Sequence, residues 1–181
     1  MIPYMYLEAQ VDSDFSRARR RAFLKRIIAR LRNDLLSNQL LSFDEVRREL
    51  RASNRIYLGM RTVEAEKIVG SVGRQRDFDR TFLPTRASVA ARWRRIDRAF
   101  HRTEGLPPVS LYKIEYYYFV LDGHHRVSVA RYHGAETIDA EVVELRRPQA
   151  RTGYAQSAAR RLGNSARCPR YVPQPEASQI V

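Results

Sequence analysis

Little in this chain could staple it covalently or hold it in a membrane. Its 181 residues include one cysteine, Cys168, which rules out an internal disulfide. No apolar run approaches the ~20 residues that a membrane-spanning helix needs. The opening MIPYMYLEAQVDSD has neither a basic leader nor an apolar signal core. These absences predict a cytoplasmic protein with no membrane partner. Histidine is sparse: His101, His124, His125 and His133. A zinc site needs three or four converging ligands, and sequence neighbours such as His124 and His125 diverge, so no metal site is expected. Lysine is nearly absent, at three residues against 30 arginines. A GC-rich genome produces that ratio. So does a need for bidentate phosphate contacts, which arginine supplies. No internal repeat is found.

What is present is a globular composition, 44% hydrophobic, with a net charge of +13. The charge is uneven. Residues 1–60 hold 12 basic and 7 acidic side chains, residues 61–145 hold 14 and 12, and residues 146–181 hold 7 and 1. The excess sits at the two ends, where it favours polyanions such as nucleic acid.

Residues 14–40 carry apolar side chains near a 3.6-residue period (Phe15, Ala18, Ala22, Leu24, Ile27, Ile28, Leu31, Leu35). They are expected to be helical, capped by Asp12, Ser13 or Asp14. The run RARRR, residues 17–21, then lies in the first turns, the unfavourable end of the helix dipole for cations. That placement hints at an anionic partner, although a solvated basic face is the simpler account. Ser42 followed by Glu45 is a capping box that opens a helix to about Leu50. The first 55 residues therefore read as a helical hairpin.

Residues 61–69 read as a strand, and 88–103 as a helix with Val89, Trp93, Ile96 and Phe100 on one face. Arg92, Arg94, Arg95 and Arg98 take its other faces, and Trp93 is expected to anchor the core. VSLYKI (109–114) and YYFVL (117–121) read as a hairpin. Glu115-Tyr116 is a poor two-residue turn, so a longer turn is expected. Residues 137–145 alternate Ile138, Ala140 and Val142 against Thr137, Asp139 and Glu141, a half-exposed strand. From Arg147 onward the chain turns to Pro, Gly, Ser, Gln and Arg, which predicts a disordered basic tail with a helical turn near 155–162. The expected organisation is a helical extension (1–60), an α/β (α+β) domain with a small mixed sheet and packed helices (61–146), and the tail (147–181).

The chemistry concentrates at LDGHHRVSVARYHG, residues 121–134. A strand runs into Asp122-Gly123-His124-His125-Arg126, and a helix follows that ends at Gly134. A helix N-terminus offers unpaired N–H groups and about half a positive charge. Gly123 lets the backbone approach a ligand, Arg126 adds a bidentate donor, and His124 and His125 add ring nitrogens. Together they suit a phosphate. Asp122 reads as a helix cap, or as an acceptor for a hydroxyl or magnesium. A second loop, residues 70–84, places Arg74, Arg76 and Arg80 among Gly70, Ser71 and Gly73, with Asp77 and Asp79 as counter-charges. If the two loops meet, several arginines converge on one pocket. His125 is also placed to act as a general base.

In this order and spacing, residues 62–145 resemble the ParB/sulfiredoxin-like fold. The segments that carry the resemblance are TVEAEKI, the arginine-bearing loop, LPPVSLYK and YYFVLDGHHR with its helix. IVGSVGRQRDFD, LPPVSLYK and DGHHRVSVAR are also similar to segments shared by bacterial ParB-like proteins. ParB carries Gly-Glu-Arg-Arg at this turn and binds the triphosphate of CTP. Gly123 and Arg126 match it, while His124 and His125 replace the Glu and the first Arg, which puts CTP switching in doubt. Arg74 resembles the arginine of ParB's phosphate-contacting loop. Sulfiredoxin carries Gly-Cys-His-Arg, and His124 stands where its catalytic cysteine would be, so that activity is excluded. Asp-Gly-His-His-Arg itself is found in free-serine kinases of this fold, whose catalytic Glu has only Asp77, Asp79 and Glu66 as candidates here. ParB's helix-turn-helix and dimerisation regions have no counterpart, so plasmid partition is not expected.

The leading expectation is a nucleotide- or phosphate-binding regulatory module near nucleic acid. Its ligand would be a nucleoside triphosphate or diphosphate (CTP, ATP or ADP), with or without magnesium. Gly123, His124, His125, Arg126, Arg74, Arg76 and Ser71 would bind it, and the basic N-terminal helix and tail would hold nucleic acid. One alternative is a small-molecule phosphotransferase using the same pocket, with Asp77, Asp122 or His125 in catalysis. The other is a non-catalytic adaptor with a vestigial pocket.

Overall fold

The described residues, 4–34 and 38–148 of this computed structural model, form four α-helices and six strands. The order is α1 (Tyr4–Leu31), β1 (Leu41–Ser42), α2 (Phe43–Glu49), β2 (Asn54–Glu64), β3 (Ile68–Ser71), α3 (Ala90–His101), β4 (Val109–Ile114), β5 (Tyr117–Asp122), α4 (His124–Tyr132) and β6 (Thr137–Arg146). The strands make one mixed sheet in the order β1-β3-β5-β4-β6-β2. This is the α/β class expected. Among the described residues, no helix is long and apolar enough to cross a membrane. The tail from 149 onward and Leu35 lie outside the described residues.

Alternation along the strands separates two apolar clusters. Val120 of β5 and Leu111 of β4 join one, with Trp93 of α3 and Phe15, Ala18 and Ala22 of α1. Their neighbours Phe119 and Tyr112 face the other side and meet Phe43 of α2. Successive strand residues face opposite ways, so α1 and α3 cover one face and α2 the other. The two N-terminal helices are thus not a hairpin, and β1 runs between them, paired in parallel with β3. A Cβ on Gly70 would lie 2.6 Å from the Leu41 carbonyl oxygen, which is why a glycine permits that pairing.

Helix α1 starts ten residues earlier than its cap signals suggest. Asp12 and Asp14 are interior residues, and Asp14 is buried. The arginine run 17–21 therefore lies mid-helix, where the dipole argument does not apply. Only Phe15, Ala18 and Ala22 of the predicted stripe are buried; Leu24, Ile27, Ile28 and Leu31 are exposed. Ser42 does cap α2, accepting from the Glu45 N–H at 3.5 Å.

The 61–69 strand resolves into the end of β2, one 3-10 turn over Ala65–Lys67, and β3. β4 and β5 pair through Ile114 and Tyr117, so their turn has two residues, not more. Glu115 makes this possible by adopting φ +54° itself. Trp93 is fully buried, and its indole N–H donates to Ser128 Oγ at 2.9 Å.

Candidate functional site

Strands β3 and β5 are parallel neighbours, with Ser71 in register with Val120. Their carboxyl ends therefore open at one edge of the sheet, where ligands enter α/β sheets. The loop after β3 and the joint between β5 and α4 meet there. Ser71 Oγ lies 2.7 Å from His124 Nε2, and the Arg74 N–H donates to the same oxygen at 3.1 Å. The His124 ring also bonds the Val120 carbonyl. One assignment fits these partners: Nε2 accepts from the serine hydroxyl, and the other ring nitrogen carries the proton to Val120.

Both histidines are buried against Phe78, His124 stacked on its ring and His125 edge-on at 5.4 Å. Burial first, then the Arg74 guanidinium and His125, push the His124 pKa down to about 4. For His125 burial again leads, followed by Arg74 and Arg92, with the same result of about 4. Each ring is neutral at neutral pH, and His125 Nδ1 is buried without a hydrogen-bond partner.

An open cleft of about 260 Å³ lies beside them. Arg74 borders it from the β3 loop, Arg92 and Arg95 from α3, and residues 121–126 from the joint. Among the described residues, no carboxylate pairs with Arg92 or Arg95. Gly123 is the N-cap of α4, and no side chain caps that end. The cleft thus combines a helix N-terminus with the guanidinium groups of Arg74, Arg92 and Arg95, beside that of Arg126, an arrangement suited to a multiply charged anion.

The joint's other residues have structural duties. Gly123 has φ +95°, and a Cβ there would meet Val109 Cγ1 at 2.6 Å, so chain geometry already requires the glycine. Asp122 is not the cap of α4; its carboxylate takes a 2.6 Å bond from Arg126. Arg126 also donates to the Pro107 and Pro108 carbonyl oxygens, both at 2.6 Å. Its donors hold the loop before β4 against the helix.

Of the remaining sequence candidates, Ser71 is buried behind His124. Arg76 is exposed and not among the residues lining the cleft. Asp77 lies between Arg74 at 3.5 Å and Arg86 at 3.8 Å. Asp79 is buried and accepts the Thr81 and Leu83 N–H groups, which shapes its own loop. Glu66 lines a different cavity, beside Arg131. Sequence reasoning did not single out Arg92 and Arg95; their i,i+3 spacing on α3 was the available signal.

No family model, curated protein or solved structure matches the chain.

Proposed function

We propose that the cleft at the β3 and β5 ends binds a phosphorylated ligand, a nucleoside di- or triphosphate, as a regulatory module of the ParB-like kind. The supporting observation is the convergence of Arg74, Arg92 and Arg95 on the uncapped N-terminus of α4. Phosphate oxygens would accept from these guanidinium groups and from the first N–H groups of the helix. Arg126 supports the site by fixing the joint, and Arg76 contributes only long-range charge. The neutral histidines supply a hydrogen-bonding wall, and a bound phosphate would draw a proton onto His125. Magnesium would accompany the phosphates, with Asp122 the acid at the rim of the cleft.

The phosphotransferase reading has less support. Of its candidate bases, Asp77 and Asp122 are both engaged by arginine, which leaves His125. A nucleic-acid partner fits the exposed arginines of α1, from Arg17 to Arg30, and those that the sequence places in residues 147–181. Such backbone attraction is sequence-independent and falls steeply with salt.

Calorimetry with CTP, ATP, ADP and GTP, with magnesium, tests the proposal on the wild type, Arg92→Ala and Arg95→Ala. One nucleotide should bind, and each variant should lose about 1.5–3 kcal/mol of affinity, the value of a charged hydrogen bond. Absence of binding by all four nucleotides and by inorganic triphosphate would reject it.

A further inference from the structure

We propose that Asp14, Asp97, His101 and His133 bind a divalent transition-metal ion, zinc in the first place, which fastens α1 to the body of the protein. The four residues come from three elements: Asp14 from α1, Asp97 and His101 one turn apart on α3, and His133 from the C-terminal cap of α4. One ligand atom from each lies within 4.8 Å of the other three. His133 Nε2 is 2.7 Å from Asp97 Oδ1, and His101 Nε2 is 3.1 Å from Asp14 Oδ2 and 3.7 Å from Asp97 Oδ2. A tetrahedral ion ~2.1 Å from each ligand has edges of ~3.4 Å. The two spacings from His101 Nε2, 3.1 Å to Asp14 Oδ2 and 3.7 Å to Asp97 Oδ2, bracket that edge, while the 2.7 Å contact of His133 is to the other Asp97 oxygen, Oδ1.

Charge gives the independent argument. Asp97 is fully buried and Asp14 is 5% exposed. Two neighbouring buried carboxylates are costly unless a positive charge offsets them. The guanidinium given to Asp14 is that of Arg17, 3.8 Å away on a largely exposed side chain. Asp97 Oδ2 is buried with no hydrogen-bond partner, and it faces His101 Nε2 across the cluster. A divalent ion would satisfy that oxygen and balance both carboxylates in one step.

The donor set narrows the ion. Two imidazole nitrogens with two carboxylate oxygens suit zinc better than magnesium or calcium, which prefer oxygen alone. Four protein ligands leave no position open, so the role is structural. Tyr132 donates its hydroxyl to Asp14 Oδ1 at 2.9 Å, the outer contact that such a ligand needs for orientation.

The test uses the full chain without a polyhistidine tag, stripped by a chelator and titrated with zinc, manganese and cobalt. Zinc should bind at one ion per chain and raise the thermal midpoint, and cobalt should give the intense visible bands of tetrahedral coordination. Asp97→Asn and His133→Gln should each weaken zinc binding on the order of 100-fold or more, at least the loss seen when only an outer contact is removed. His101→Gln, at a partly exposed position, serves if either variant does not fold by circular dichroism. His125→Gln, in the separate cleft, should bind zinc as the wild type does. A wild-type chain that takes up none of the three ions overturns the proposal. So do His101→Gln and His133→Gln chains with undiminished zinc affinity.

Discussion

Ser71 and His124 are 53 positions apart in sequence and 2.7 Å apart in space, hydroxyl to Nε2. This bond joins the end of β3 to the first residue of α4. It also fixes the His124 tautomer. Ser71→Ala would leave a buried ring nitrogen and the Arg74 N–H without their partner. Such unpaired groups cost about 1–3 kcal/mol each, so the variant should lose at least ~1 kcal/mol in urea denaturation. An unchanged midpoint and slope would show that the bond carries no stability.

Arg126 should behave as a structural residue. Its two carbonyl contacts hold Pro107 and Pro108, and its side chain is only 15% exposed. Asp122 is largely exposed, so that ion pair adds little. Arg126→Ala should therefore destabilise the fold by about 1.5–3 kcal/mol. Arg126→Lys should not restore the loss, because an ammonium cannot reproduce the fork. Arg92→Ala and Arg95→Ala should leave stability within about 0.5 kcal/mol of wild type, as surface changes do. Equal stability of Arg126→Ala and wild type would return this arginine to the ligand-binding set.

These roles explain how far the sequence was readable. Periodicity located α3, β4, β5, α4 and β6, because their apolar residues recur on the faces turned toward the two apolar clusters. That the loop of Ser71 and Arg74 meets the joint of His124 was legible only as a condition, which the parallel pairing of β3 and β5 fulfils. Periodicity could not show that the Arg126 guanidinium, which lines the cleft, also reaches back to carbonyls 18 and 19 positions earlier, a contact that only the fold creates. It missed Asp97, which lies four residues after Trp93 and shares its buried face. The start of α1 was hidden because Asp12, Ser13 and Asp14 look like caps, whereas Asp14 turns inward to Tyr132 and His101. The exposed Leu24, Ile27 and Ile28 show that an apolar stripe predicts a helix without saying what covers it.

Gly123 and Val109 should be energetically coupled. Gly123→Ala meets both a left-handed backbone, costing about 1–3 kcal/mol, and a steric clash of similar size with Val109. Val109→Ala removes the nearer of the two clashing Val109 carbons, Cγ1 at 2.6 Å, and keeps Cβ at 2.9 Å, so the clash is relieved in part. The double variant should therefore be more stable than the sum of the single losses, by ~1 kcal/mol or more. Strict additivity in denaturant titrations would remove the clash from the account and leave backbone strain alone.

Acid should loosen the fold through the two buried histidines. In the folded chain His124 and His125 have pKa values of about 4, against 6.5 for free imidazole. Above pH 6.5 both are neutral whether the chain is folded or not, and their contribution to stability is fully present. Between pH 6.5 and 4 the unfolded chain takes up protons that the folded chain refuses, so stability falls with pH. Each imidazole can withdraw up to about 3 kcal/mol across that window. Carboxylates such as Glu144, whose pKa is lowered by Lys113, also lose stability in acid, so the wild type alone cannot isolate the effect. His125→Gln can, because the glutamine does not titrate. Urea denaturation at pH 7.5 and pH 5 should show a smaller acid loss for this variant than for wild type. Parallel losses in the two proteins would mean that His125 titrates in the folded state near its ordinary value, and that neither burial nor the nearby arginines hold it neutral.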